Sequence, residues 1–265
     1  MTAESFQRVA IDVGNSRIKL GLFSISRAGK HGELPVCLKR AVSLLEDPLP
    51  WDVLSEWQTS SGTSLRAVIA GSNPEGVERI KSAWPKSLGL APHHVTNTPA
   101  FPLQIQVDEP RRVGIDRLLN AVAVNQLRDV TRPAVVVDSG TATTVDVISA
   151  DGAFMGGAIL PGLALSAKAL HEYTALLPLI SVSELGQQVP ESLGQNTREA
   201  IKSGLFWGQL GAVKELILRQ AGSAADVFVT GGGGALLAAY LEKARFEPHL
   251  PLQGLLIVAD TLERP

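Results

Sequence analysis

Two segments of the chain run from apolar residues into a carboxylate, a glycine and hydroxyls. Residues 9–16 read VAIDVGNS, with Asp12 and Gly14, and residues 135–144 read VVVDSGTATT, with Asp138 and Gly140. A carboxylate closing a buried strand is costly unless donors or a cation compensate it. Glycine two residues on lets the chain reverse and an outside group approach the backbone. Successive N–H groups in such a turn form a concavity suited to phosphate oxygens. Ser16, Ser139, Thr141, Thr143 and Thr144 add hydroxyl donors. The carboxylates would not hold phosphate themselves; they would hold a cation or its water shell, which bridges to phosphate. The pair of segments predicts a nucleotide-phosphate site in which a metal ion or ordered donors balance Asp138. A third glycine run, 231–234, follows an apolar strand and opens a helix, where a ring or sugar could approach closely and an anion would be favoured.

A second kind of chemistry sits in residues 111–122, RRVGIDRLLNAV, which place Gly114, Asp116 and Arg117 at a helix start. An Asp there can cap the helix electrostatically, or act as general base on an acceptor hydroxyl while the Arg fork clamps a carboxylate or phosphate. For phosphoryl transfer that equipment suffices, since positioning and charge stabilisation supply most of the catalysis. Thr197, in GQNTREA, can cap its helix or donate to substrate. Competing motifs are absent: no G-x-x-x-x-G-K-[ST], no G-x-G-x-x-G and no G-x-S-x-G. His93 and His94 lack metal-ligand spacing and read as a solvated loop pair.

The elements that must carry these residues follow from pattern. Residues 8–14 and 16–25 read as a hairpin, 27–35 as a polar connection, 35–44 and 65–71 as strands, and 75–85 as a helix stopped by Pro85. Residues 91–112, rich in Pro and without period, read as a linker. A helix is expected from Gly114, with Leu118, Ala121, Val122 and Val124 along one face. Then strand, glycine turn, strand, strand recurs over 134–160. Helices are expected at about 162–176 and 197–220, the latter with Thr197 as N-cap, and at 235–246. Asp12 and Asp138 thus end equivalent strands half a chain apart. Two βββ-plus-helix copies predict a duplicated α/β protein with domains 1–113 and 114–265 and a cleft between the copies.

The bulk composition excludes much else. The 265 residues are 45% hydrophobic and 19% charged, with a net charge of −2, so no basic field points to nucleic acid or an anionic membrane. The single cysteine, Cys37, rules out an internal disulfide framework and reads as a small hydrophobe in a reducing compartment. Glu4, Arg8 and Asp12 interrupt any N-terminal signal core, and no apolar stretch is long enough to span a bilayer. A cytoplasmic protein is expected.

The motifs DVGNSRIKLGLF, GIDRLLNA, DSGTATTVDVI, GGAILPG and TGGGG, in this order and spacing, resemble the type III pantothenate kinases. These belong to the superfamily of acetate and sugar kinases, heat-shock chaperones and actin. The resemblance implies duplicated ribonuclease-H-like (actin-like ATPase) domains with an interdomain nucleotide cleft. It implies ATP-dependent phosphorylation of pantothenate to 4′-phosphopantothenate, the first step of coenzyme A synthesis, by a homodimer using Mg2+ with ATP and a monovalent cation, K+ or NH4+. Carried over by position, Asp12, Val13, Gly14, Asn15, Ser16, Arg17, Ile18 and Lys19 form the first phosphate turn, with Asp12 nearest the Mg2+-bound phosphates. Gly114, Ile115, Asp116 and Arg117 contact pantothenate, and Asp116 accepts the proton. Asp138 holds the monovalent cation, Thr141 touches ATP, and Thr197 reaches pantothenate across the dimer. Val107 departs from the pattern, standing where many members carry a substrate-contacting tyrosine, and Ser16 replaces the usual Thr. Alternatives are another small-molecule kinase of the superfamily or a nucleotide-dependent transcription accessory factor; the neutral charge argues against DNA contact.

Overall fold

The computed structural model describes residues 5–26, 31–61, 66–98, 101–186 and 188–263, so four residues of the expected 27–35 connection (27–30) lie outside the described residues. The chain forms two compact units, one of residues 1–128 with 249–265 and one of residues 129–248.

The first unit opens with β1 (Ser5–Val13), β2 (Arg17–Ser26) and β3 (Val36–Leu44), then α1 (Trp51–Ser61), β4 (Arg66–Gly71), α2 (Pro74–Ser82) and β5 (His93–His94), and continues into α3 (Ile115–Leu127). Its sheet order is β3-β2-β1-β4-β5, with β1 antiparallel to β2 and parallel to β4. Burial follows from that order. Central β1 is buried on both faces from Val9 to Val13, as a strand flanked by a parallel neighbour requires, whereas edge strand β3 alternates half-buried with exposed. One face of the sheet carries Val9, Ile11, Val13, Ile18 and Leu20 into a core with Leu54 and Trp57 of α1 and Val77 and Ile80 of α2.

The second unit repeats this plan. It contains β6 (Ala134–Ser139), β7 (Ala142–Ile148), β8 (Phe154–Pro161), α4 (Leu163–Glu172), α5 (Val182–Gly186), α6 (Thr197–Ala221), β9 (Asp226–Thr230), α7 (Gly234–Ala238) and β10 (Arg245–Phe246). Its sheet order, β8-β7-β6-β9-β10, is that of the first sheet strand for strand, with the same pairing senses. Val135, Val137, Val145 and Val229 pack beneath Phe206, Leu210 and Val213 of α6. The expected duplication holds: each unit is a three-stranded meander extended by parallel strands.

The expected division at residues 113/114 does not hold. The last helix, α8 (Leu250–Glu263), packs on α3 and on β1 and β4, so both helices belong to the first unit. The approach of α8 to α3 is close: a methyl group at Gly254 would lie 1.9 Å from the Leu119 carbonyl oxygen. Gln253 Nε2 donates to the Pro35 carbonyl at 2.9 Å, and buried Arg8 pairs with Glu263.

Three smaller expectations also give way. Within the presumed linker, His93 and His94 form a strand parallel to Val68 and Ile69, extended by Val95 N–H donating to Ile69 O at 2.9 Å. Burial first, and then Lys81, holds the His94 imidazole below its usual pKa. The helix expected at 235–246 stops at Ala238, because Tyr240 packs edge-on against Phe206 and Trp207 at 5.5 and 5.6 Å, and Leu241 enters the core. Tertiary packing there overrides helix propensity. Finally, Asn196 rather than Thr197 caps α6: its side chain accepts from Glu199 N–H at 3.0 Å, while Glu199 Oε2 accepts from Gln195 N–H at 3.0 Å. This reciprocal box leaves Thr197, exposed in the first helical position, with no capping duty.

Candidate functional site

In the first unit, Asp12 stands at the penultimate position of β1, only 3% exposed. Hairpin register sets Lys19 directly opposite, and Lys19 Nζ lies 3.2 Å from Asp12 Oδ2. The buried carboxylate is therefore matched by an ammonium on a flexible stem that is itself half-buried. The turn closes with Gly14 N–H donating to Arg17 O at 2.9 Å. Asn15, Ser16 and Arg17 are exposed at its tip, whereas Val13 and Ile18 are buried in the core. Of the eight residues expected here, those two can offer a phosphate only their backbone.

The start of α3 places the second group. Gly114 is the N-cap residue and provides no side-chain cap. Asp116 Oδ1 accepts from Arg117 N–H at 2.9 Å. The carboxylate folds back over Gly114 so closely that a methyl there would meet it at 2.7 Å. Asp116 is thus oriented by its own helix start. Gly114, Ile115, Asp116 and Arg117 are all half-buried, as is Val107.

In the second unit, Asp138 occupies the position on β6 that Asp12 occupies on β1. Gly140 N–H donates to Ala142 O at 2.9 Å to close the turn. Register sets Thr144 of β7 and Thr230 of β9 on either side of Asp138. The glycine run has a use that sequence reasoning missed. Gly231 has φ +88°, and a methyl on it would lie 2.5 Å from both Asp138 Oδ1 and Ser139 O; one on Gly233 would lie 2.5 Å from Ser139 Oγ. These two glycines admit the end of β6, and Gly233 N–H donates to Ser139 O at 3.0 Å. In the first unit, Asn73 N–H donates to Val13 O at 3.3 Å in the same way. Thr141 is exposed in its turn, and its carbonyl accepts from Gly162 N–H at 3.0 Å.

Comparison with known proteins bears on this geometry. Residues 8–219 match the family model described as type III pantothenate kinase. The chain belongs to that family. A type III pantothenate kinase of Desulfosudis oleivorans is 36% identical, with 96% of this chain and 99% of that protein covered. One from Moorella thermoacetica is 34% identical, covering 95% and 98%. Among solved structures, a conserved putative Baf family transcriptional activator from Campylobacter jejuni aligns with TM-score 0.58 and 21% identity over 95% of this chain and 97% of that one. An activator of 2-hydroxyisocaproyl-CoA dehydratase from Clostridium difficile, solved with ADPNP bound, aligns with TM-score 0.56 and 14% identity over 97% and 96%. These likenesses show the shared duplicated actin-like ATPase fold.

As a type III pantothenate kinase, the chain distributes its expected site residues over both units. Asp12 to Lys19, Val107 and Gly114 to Arg117 lie in the first, and Asp138, Thr141 and Thr197 in the second. The structure joins Asp12 to Lys19 and orients Asp116 over Gly114, and Thr197 is the first residue of α6. Near Thr197, Arg198 reaches back to Glu184 of α5. Hydrogen bonds from Ser181 N–H and Oγ, together with Arg198, hold the Glu184 carboxyl at about 2, well below its ordinary 4.5. Among the described residues no group of three or more His, Cys, Asp or Glu could form a metal cage. Sequence reasoning did not single out Thr230, although its position closing an apolar strand parallel to β6 gave the signal.

Proposed function

We infer that this chain transfers the γ-phosphoryl group of ATP to the primary hydroxyl of pantothenate, yielding ADP and 4′-phosphopantothenate at the entry to coenzyme A synthesis. The observation that carries the reading is the Asp116 carboxylate held over Gly114 beside Arg117 at the head of α3. Asp116 takes the proton as the hydroxyl oxygen attacks phosphorus, and Arg117 receives the pantothenate carboxylate in its planar fork. Residues 12–19 bind the phosphates, with Lys19 placed to follow charge as it moves toward the leaving oxygen. Thr141 contacts ATP. Val107 lies along the substrate, and Thr197, relieved of capping, donates a hydroxyl to pantothenate bound by a partner copy.

The donor chemistry fits the ions such a kinase needs. Asp12 would hold Mg2+ accompanying ATP, which neutralises phosphate charge when bound. Asp138 would hold a monovalent cation, K+ or NH4+, because its surroundings offer hard oxygen donors. A homodimer is supported by exposed apolar side chains on the second unit: Met155 and Ile159 of β8, Leu165 of α4, and Tyr173 and Leu176 beyond it. No described helix is long and apolar enough to cross a membrane.

The test is ADP release with ATP, Mg2+ and K+, with and without pantothenate. Release should depend on the acceptor. Asp116→Asn keeps an oxygen for the Arg117 N–H but cannot accept the proton, so kcat should fall about 10²- to 10⁴-fold with little change in melting temperature. Full turnover in Asp116→Asn, or release indifferent to pantothenate, would overturn the assignment.

A further inference from the structure

The two repeats differ at one informative place. Opposite Asp12 the antiparallel neighbour is Lys19 and the parallel neighbour is Ala70; opposite Asp138 they are Thr144 and Thr230. A strand position that carries an ammonium in one unit carries a hydroxyl in the other. Directly paired residues share a sheet face, so both threonines flank the Asp138 carboxylate. That carboxylate is lodged at the end of its strand, with Oδ1 2.5 Å from where a methyl on Gly231 would sit and 3.7 Å from one on Gly140.

Thr144 Oγ1 and Thr230 Oγ1 are both buried and without a hydrogen-bond partner, and Thr230 is 0% exposed. An orphaned buried hydroxyl is rare in a native fold and calls for a reason, such as an ion or water. Two of them on one face, either side of one carboxylate, constitute a set of oxygen donors. Thr143 Oγ1, also without a partner, lies on the opposite face of β7 and is excluded. One negative charge with neutral hydroxyl oxygens suits a singly charged hard cation.

We propose that Thr144 and Thr230 are ligands that complete the monovalent-cation site at Asp138. The ion they help hold would balance Asp138 as the tethered Lys19 ammonium balances Asp12. This rests on the reading of Asp138 as a cation ligand and extends it to two residues that set affinity for the ion.

The test uses the purified full chain in K+-free buffer and follows melting temperature as KCl replaces choline chloride at constant ionic strength. The parent should gain stability with K+. Thr144→Val and Thr230→Val, which remove only the hydroxyl, should each need about tenfold more K+ to reach half of that gain, and the double variant should show none. Without K+ the valine variants should melt no lower than the parent, since they no longer bury an unsatisfied hydroxyl. In crystals, Tl+ soaked into the parent should give an anomalous peak at Asp138 that the double variant loses. A parent indifferent to K+, variants with the parent's midpoint, or ion-free variants melting below the parent would each overturn the proposal. Pantothenate-dependent ADP release measured alongside separates the two readings. K+-dependent turnover with unchanged K+ constants in the variants overturns this inference alone. Loss of the K+ response in a protein that ignores pantothenate supports the site and overturns only the kinase assignment.

Discussion

Gly254→Ala sets two calculable effects against each other. In an exposed helix alanine would be worth about 1 kcal/mol over glycine. Here the new methyl would lie 1.9 Å from Leu119 O, a backbone atom that cannot rotate away. Reaching even a tight 3.0 Å contact requires α3 and α8 to part by about 1.1 Å (3.0 − 1.9). A gap of that size forfeits a quarter to a half of each dispersion contact across the seam. Buried Leu118 and Leu119 of α3 and Leu255 and Leu256 of α8 flank that approach in sequence. Overpacking of this kind costs about 1–3 kcal/mol, and the parted leucines add to it, so we expect net destabilisation of about 2 kcal/mol after the propensity gain. For a protein of this size that lowers the melting temperature by roughly 4–8 °C. Because α3 also begins with the Asp116 turn, kcat/KM for pantothenate should fall by up to about 10²-fold, the effect of an ångström of misplacement. Scanning calorimetry with steady-state kinetics checks both. A melting temperature equal to or above the parent's would refute the packing argument.

Two further outcomes follow from the start of α6. Asn196→Ala should cost about 1 kcal/mol of stability through the lost cap, whereas Thr197→Val should leave the melting temperature within 1 °C or so and raise KM for pantothenate; paired denaturation and kinetic measurements distinguish them. Glu184 has a folded pKa depressed to about 2 from 4.5, so its contribution is present in full above pH 4.5 and is lost as pH falls through about 2. The stability difference between the parent and Glu184→Gln should therefore be flat from pH 8 to 5 and shrink below that, an effect weakened by salt.

Much of this was legible in the sequence because the informative residues sit where local rules are strong. Glycine two residues after a strand-end Asp fixed both hairpins, and the valine run at 135–137 marked a central strand buried on both faces. Short or polar elements were not legible. His93-His94 becomes a strand only because β4 offers an open edge, and α1 buries Leu54 and Trp57 with only Trp51 and Val53 partly buried beside them. α8 was not anticipated; it tolerates Pro251 because proline fits a first turn, and Gly254 is where the helix meets Leu119. The same principle explains the glycine run: its residues admit the end of β6, a demand set by a strand nearly a hundred positions away. Lys19 was expected at the phosphates, but its ion pair with Asp12 needed the hairpin register.

The return of α8 also orders events during synthesis. The strands of the first sheet are complete long before the helix that covers β1 and β4 exists, because the 120 residues of the second unit intervene. At about 5–20 residues per second, that interval is roughly 6–24 s. Throughout it a nascent chain carries an uncovered apolar sheet face, while the contiguous second unit can close as soon as it emerges. The half of the molecule made first is therefore the half finished last, and it is the nascent stage at which helper proteins would have most to shield.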